Sequence, residues 1–182
     1  LGAHPLELVF TSGATEANTF AINGRPWRAL LVGNAEHSAV LAPARRSHAP
    51  RLELPCRPDG VQDLSGVEAW AAALPKSDLP AFASLALANG ETGVVQPVAD
   101  LVAMLSPFGI VVHSDAVQAT GRIAVDFRAL GLSLMSLSAH KMYGPKGAGA
   151  LYVRRLPRVG LEAQMHGGGH ERGMRSGTLA TH

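Results

Sequence analysis

Apolar runs of four to six residues recur along the chain, each closed by small, polar or turn-forming residues. Leu6–Phe10, Ala29–Val32, Arg51–Leu54, Phe82–Leu87, Ile110–Ser114, Leu134–Ser138 and Gly149–Val153 predict strands. Between them, Thr15–Ile22, Ser38–Arg46, Leu64–Leu74, Val98–Leu105 and Phe127–Leu130 predict helices. Pro26, Pro55, Pro58, Pro75, Pro80 and Pro107 fall between these elements, where a residue without an N–H does least harm. The alternation predicts an α/β fold, a mainly parallel sheet with helices on both faces. Ligands of such sheets gather at the carboxyl ends of the strands. The last strand follows its predecessor through the short Tyr143–Ala148 turn, so it is expected to run antiparallel to it. No repeat, linker or low-complexity stretch interrupts the pattern, and residues 1–182 read as one domain.

Several polar residues stand where these strands end. Lys141 follows the last residues of Leu134–Ser138, between His140 and Met142, and is one of three lysines against thirteen arginines. An amine so placed can form a Schiff base with an aldehyde once deprotonated. The strand Leu6–Phe10 runs into Thr11-Ser12-Gly13-Ala14-Thr15-Glu16, a small-residue turn opening a helix with Ser12 or Gly13 near its N-cap. A helix N-terminus presents free N–H groups and suits a phosphate, and Thr15 adds a hydroxyl. No GxxxxGK[ST] pattern occurs. Ile110–Ser114 ends at Asp115, with Gln118 three residues on. A carboxylate there can keep a pyridine nitrogen protonated, although an aspartate at a strand end also commonly caps a turn. His37, in Asn34-Ala35-Glu36-His37-Ser38, can stack on a flat ligand or move protons, or serve simply as a polar loop residue.

Composition narrows the class. Apolar residues make up 47% and charged residues 16%, which excludes a disordered chain. The net charge of +2 is spread out, and the basic pairs Arg45-Arg46 and Arg154-Arg155 have no aromatic stripe beside them, so nucleic acid is not an expected partner. No apolar run approaches the ~20 residues of a membrane span, so no membrane is expected either. One cysteine makes no internal disulfide, which agrees with a reducing, cytoplasmic setting. His166-Gly167-Gly168-Gly169 is similar to an esterase oxyanion loop, but no GxSxG elbow accompanies it. The three glycines between His166 and His170 argue against a helix that would align them on a metal, and no metal site is expected.

Taken together, Thr11-Ser12-Gly13-Ala14-Thr15-Glu16, Ala35-Glu36-His37, Glu91-Thr92-Gly93-Val94-Val95-Gln96-Pro97, Ser138-Ala139-His140-Lys141 and the tail from His166 to Thr178 resemble the cysteine desulfurases. These belong to the class V aminotransferase-like group of pyridoxal 5'-phosphate enzymes, and the resemblance covers essentially the whole chain in order and spacing. It implies the large domain of a fold-type I enzyme that takes sulfur from L-cysteine, giving L-alanine and an enzyme persulfide for iron–sulfur cluster or thio-cofactor assembly. It further implies that Lys141 is the Schiff-base lysine, His37 the stacking and proton-moving histidine, Asp115 the partner of the ring nitrogen and Gln118 the contact to the phenolic oxygen. Ala14, Thr15, Ser138 and His140 match the phosphate cradle. Thr178 resembles the threonine that reaches the phosphate of the other subunit in a homodimer, and a sulfur-acceptor or scaffold protein is implied as a partner of the full-length enzyme.

Two departures stand out. The family usually carries two adjacent asparagines where this chain has Asn89-Gly90, so one contact to cofactor or substrate needs a substitute: a backbone group, a water or Asn89. The nucleophilic cysteine and the substrate-clamping arginine of the family lie downstream of the lysine, beyond His182. The expectation is therefore a cofactor-binding domain truncated at both ends, without the smaller C-terminal domain and inactive alone, with Cys56 an incidental thiol in a turn. A remnant that only binds cofactor or pairs with a longer partner, and a selenocysteine lyase or another class V enzyme, stand as alternatives.

Overall fold

The computed structural model describes residues 2–178. Seven strands form one sheet: β1 (Leu8–Thr11), β2 (Ala29–Gly33), β3 (Arg51–Leu54), β4 (Ala81–Ser84), β5 (Val111–Asp115), β6 (Leu134–Ser138) and β7 (Gly149–Val153). Their spatial order is β1-β7-β6-β5-β4-β2-β3. The pairs from β3 through β6 are parallel, and β7 runs antiparallel to both β6 and β1. Six strands therefore point one way, and their carboxyl ends share an edge with the start of β7.

The helices α1 (Ala14–Asn23), α2 (Ser38–Arg46), α3 (Val67–Ala73) and α4 (Val98–Leu105) divide between the two faces. Leu30, Val32, Phe82, Leu134 and Leu151 meet Phe20 and Ala21 of α1 and Val40 of α2 on one face. Leu31, Ala81, Ala83, Val112 and Tyr152 meet Val67 of α3 and Leu101 and Leu105 of α4 on the other. Neighbouring residues of one strand thus enter opposite cores. This is why β2, β4, β6 and β7 read as continuous apolar runs rather than alternating ones. Because β1 and β2 lie far apart in the sheet, the connection through α1 must cross β7, β6, β5 and β4 to join them. Its amino end is left at the carboxyl end of β1.

One polar row crosses the interior. The ring of His113 lies between Ser84 Oγ and Ser136 Oγ, at 2.9 Å from each, and stacks on Phe82. Burial pushes this histidine down to about 3, so it is neutral and one nitrogen donates while the other accepts.

Three expectations need correction. Phe127–Leu130 is a single turn and not a helix: Asp126 Oδ1 accepts the Arg128 and Ala129 amides, and Gly131 follows in the left-handed region at φ +70°. The helix expected over Leu64–Leu74 begins only at Val67, because Asp63 holds the Ser65 amide in a side-chain turn ahead of it. The strand expected over Phe82–Leu87 ends as regular structure at Ser84, although the Leu85 and Leu87 amides still donate to His113 and Asp115 carbonyls. Elsewhere Arg51–Leu54, Leu134–Ser138, Gly149–Val153, Ser38–Arg46 and Val98–Leu105 keep their expected bounds, and the other edges shift by at most two residues. Leu6 belongs to a 3-10 turn, Pro5–Glu7, whose amino end is closed reciprocally: His4 Nδ1 accepts the Leu6 amide and Glu7 Oε2 accepts the His4 amide.

Candidate active site

The carboxyl ends of β1, β2, β4, β5 and β6 open on one cavity of about 910 Å³. Ala14, Thr15, His37, Asp115, Gln118, Ser138, His140 and Lys141, singled out from four separate stretches of sequence, all line it. Thr178 is exposed and is not among its lining residues.

At one end of the cavity is the start of α1. Gly13, at φ +151°, occupies the cap position and supplies no side-chain cap. Ser12 is engaged elsewhere, its amide and hydroxyl both donating to Glu16 Oε2 at 2.7 and 2.6 Å. The first-turn N–H groups of Ala14, Thr15 and Glu16 are left for a ligand, at the positive end of the helix dipole. Ser138 and His140 border the same cavity, their Oγ and Nδ1 2.8 Å apart. The close approach of two backbones sets this end. A Cβ on Gly149 would stand 2.6 Å from Gly13 Cα and 2.8 Å from the Leu137 carbonyl oxygen, so only glycine lets β7 pass under the turn.

Deeper in the cavity is Asp115. Its Oδ2 accepts from Asn18 Nδ2 at 2.7 Å and its Oδ1 from the Val117 amide at 3.0 Å. Burial raises its pKa, against the lowering effect of these two bonds and of His37. A carboxylate in that state gains from a cationic partner. Asn18 Oδ1, also buried, has no partner among the described residues. Sequence reasoning passed over Asn18. Its one signal is a polar side chain on the apolar stripe of α1, between Ala17 and Ala21.

His37 caps α2, with Nδ1 accepting the Ala39 amide at 3.0 Å. In the neutral ring the proton is then on Nε2. Lys141 sits in the 3-10 turn Ala139–Lys141 that leaves β6, half-buried at the cavity wall.

Asn89 does not fill the gap left by Gly90. Its Oδ1 receives the Glu91 and Thr92 amides and its Nδ2 donates to the Ala35 carbonyl, so it is committed to its own loop. The Gln118 side chain occupies the space over Gly90 instead.

The tail is tied to α1. Arg175, 8% exposed, grips Glu16 through Nε at 2.7 Å and a terminal nitrogen at 3.1 Å. Burial alone would raise Glu16, but Arg175 and Ser12 hold it below the usual carboxylate range. Cys56 is exposed, receives a bond from Gln62 Nε2 at 2.9 Å, and does not line the cavity. Among the described residues no cluster of three histidines, cysteines or carboxylates has the arrangement of a metal site, and no helix is long and apolar enough to cross a membrane.

The family model "Aminotransferase class-V" matches residues 1–180. The chain belongs to the class V aminotransferase family. Within that family it is 46% identical to the cysteine desulfurase IscS of Dechloromonas aromatica and 49% identical to that of Aeromonas hydrophila, in each case over 100% of this chain and 46% of the relative. It spans about half the length of the curated relatives it matches. Among solved structures, a NifS-like protein superposes with a TM-score of 0.87 at 33% identity, over 98% of this chain and 50% of that one. DndA from Streptomyces lividans superposes with a TM-score of 0.84 at 37% identity, over 98% and 52%.

The cofactor of these class V enzymes is pyridoxal phosphate, and the cavity fits it. Free helix N–H groups suit its phosphate, the buried Asp115 suits a protonated ring nitrogen, and Lys141 is an amine at the wall between them.

Proposed function

We propose that this chain is the cofactor-binding part of a pyridoxal phosphate-dependent cysteine desulfurase, acting on L-cysteine and passing its sulfur to an acceptor or scaffold protein. The observation that carries the reading is the meeting of Lys141, Asp115 and the open end of α1 on one cavity, in a chain 46–49% identical to proteins named as cysteine desulfurases. The bound cofactor would supply an aldehyde carbon for exchange with the substrate amine and a cationic ring that draws electrons from it.

The chain's own residues have distinct parts in this reading. Lys141 would hold the cofactor by its aldehyde carbon, and its Nζ would carry a proton. His37 covers the ring and moves protons at Nε2, since Nδ1 is engaged with Ala39. Asp115 holds the ring proton, and Asn18 and the Val117 amide keep its carboxyl oriented. Ala14, Thr15, Ser138 and His140 hold the phosphate, and Gln118 orients the ring through its phenolic oxygen. Cys56 does not receive the sulfur, because that transfer needs a thiolate near contact with the bound substrate, and Cys56 is outside the cavity.

The reading includes a homodimer, with Thr178 completing the partner's phosphate site, and a cytoplasmic location. Borohydride reduction with pyridoxal phosphate, followed by peptide mapping, tests its centre. The label is expected on Lys141, and a label on Lys76 or Lys146 instead would sink the assignment. For the dimer, Lys141→Ala and Thr178→Ala proteins are mixed. Recovered activity supports a shared site, and its absence with heterodimers present counts against one.

A further inference from the structure

The cavity contains a second buried carboxyl. Glu36, 7% exposed, closes the turn between β2 and α2. Its Oε1 accepts the Ala86 amide, in the segment that prolongs β4, so the side chain straps the carboxyl ends of two neighbouring strands together at the cavity wall. Its Oε2 is buried and has no partner among the described residues. No ion pair reaches it among those residues.

The charged and titratable groups around the same cavity come from every element that borders it: His37 beside it, Glu16 from α1, Glu91 from the loop after β4, Asp115 from β5, and His140, Lys141 and Lys146 after β6. Asp115 is the one that reaches Glu36 electrostatically, and it acts against ionisation. A buried carboxyl with one N–H, no cation and an acidic neighbour keeps its proton rather than its charge.

We propose that Glu36 works as an uncharged acid: it positions the cavity wall through Ala86 and leaves Asp115 as the single ionised carboxyl of the buried pair, Glu36 and Asp115, in the cavity floor. Two ionised carboxyls would over-compensate one cationic ring and repel a phosphate bound in the same cavity. The division of labour resembles other acidic pairs whose surroundings drive their protonation apart. Burial first, and then Asp115, push Glu36 up to about 8. The protonated state belongs to the ligand-free protein. Only the benefit to a cationic ring rests on the function proposed above.

Three measurements test this. In the ligand-free protein, carbon-13 NMR of the glutamate carboxyls should show one titrating near 8, absent from Glu36→Gln. A Glu36 signal titrating in the ordinary carboxylate range overturns the proposal. Stability gives the linked readout: Glu36 favours the fold fully below its unfolded value of 4.5, and that contribution is lost as pH rises to about 8. The wild type should therefore lose stability relative to Glu36→Gln across that window, and a constant difference counts against the idea.

The third measurement is the affinity for pyridoxal phosphate at pH 7. Glu36→Gln keeps an acceptor for Ala86 without a charge, and should bind at least about ten-fold more tightly than Glu36→Ala. Equal weakness of the two variants would make the charge, and not the strap, the working feature, and would overturn the proposal. Failure of the wild type itself to bind would strike the proposed function and leave the NMR result to decide on Glu36.

Discussion

The Gln118 side chain lies against Gly90. A Cβ at Gly90 would stand 3.0 Å from Gln118 Nε2 and 3.2 Å from its Cγ. Gly90 has no need of a left-handed backbone, so its want of a side chain is a matter of space. Where the resemblance to the cysteine desulfurases leads one to expect an asparagine, the Gln118 side chain fills the space. Gly90→Asn should push Gln118 out of its place and change cofactor affinity by about one hydrogen bond, roughly 0.5–1.5 kcal/mol. In a double-mutant cycle with Gln118→Ala, the two effects should fail to add. Strict additivity would separate the two residues.

Asp115→Asn removes the charge and keeps the shape. With a cationic ring bound, that leaves a buried positive charge unmatched, and catalysis should slow by about 3–5 kcal/mol at the barrier. Asn18→Ala leaves the charge and removes only a bond to it, so its effect should be about 1–3 kcal/mol. Steady-state kinetics of the two variants should rank in that order.

Glu16→Gln cuts the grip of Arg175, itself almost wholly buried, and should destabilise the fold by about 1–3 kcal/mol at pH 7. Glu16 is held below its ordinary value of 4.5, so its contribution is present above that pH and fades as pH falls through the lower folded value. Denaturant melts at neutral and acidic pH should show the gap between variant and wild type closing on the acid side.

Cys56→Ser should leave sulfide release from cysteine unchanged in the active protein, since the thiol is exposed and outside the cavity. Sulfide and alanine measured together decide the point. Loss of both in this variant would make Cys56 the nucleophile.

What could be foreseen in the sequence was whatever one strand and its exit carry by themselves. Ala29–Val32 reads as a buried strand because both its faces are covered, and Asp115 and Lys141 stand out because each ends such a run. The pairs that shape the cavity could not be foreseen. Asn18 meets Asp115 from 97 residues away, and Glu36 reaches Ala86 from 50. Neither has a local pattern, since the topology alone brings them together. The missed turn at Phe127 has the opposite cause: its apolar spacing was helical, but Asp126 offered the backbone a nearer partner.

The place of β7 has a consequence in time. Among the described residues, the neighbour of β1 in the sheet is β7, which is made last of the seven strands. Between the synthesis of Thr11 and that of Gly149, a ribosome working at about 5–20 residues per second needs on the order of ten seconds. Through that interval β1 has no strand to pair with, and β6, once made, stands as a bare edge until β7 follows. The glycine contact between residues 13 and 149 is then the latch that ends the wait: the α1 end of the cavity comes into being only when β7 arrives, together with the shielding of that edge.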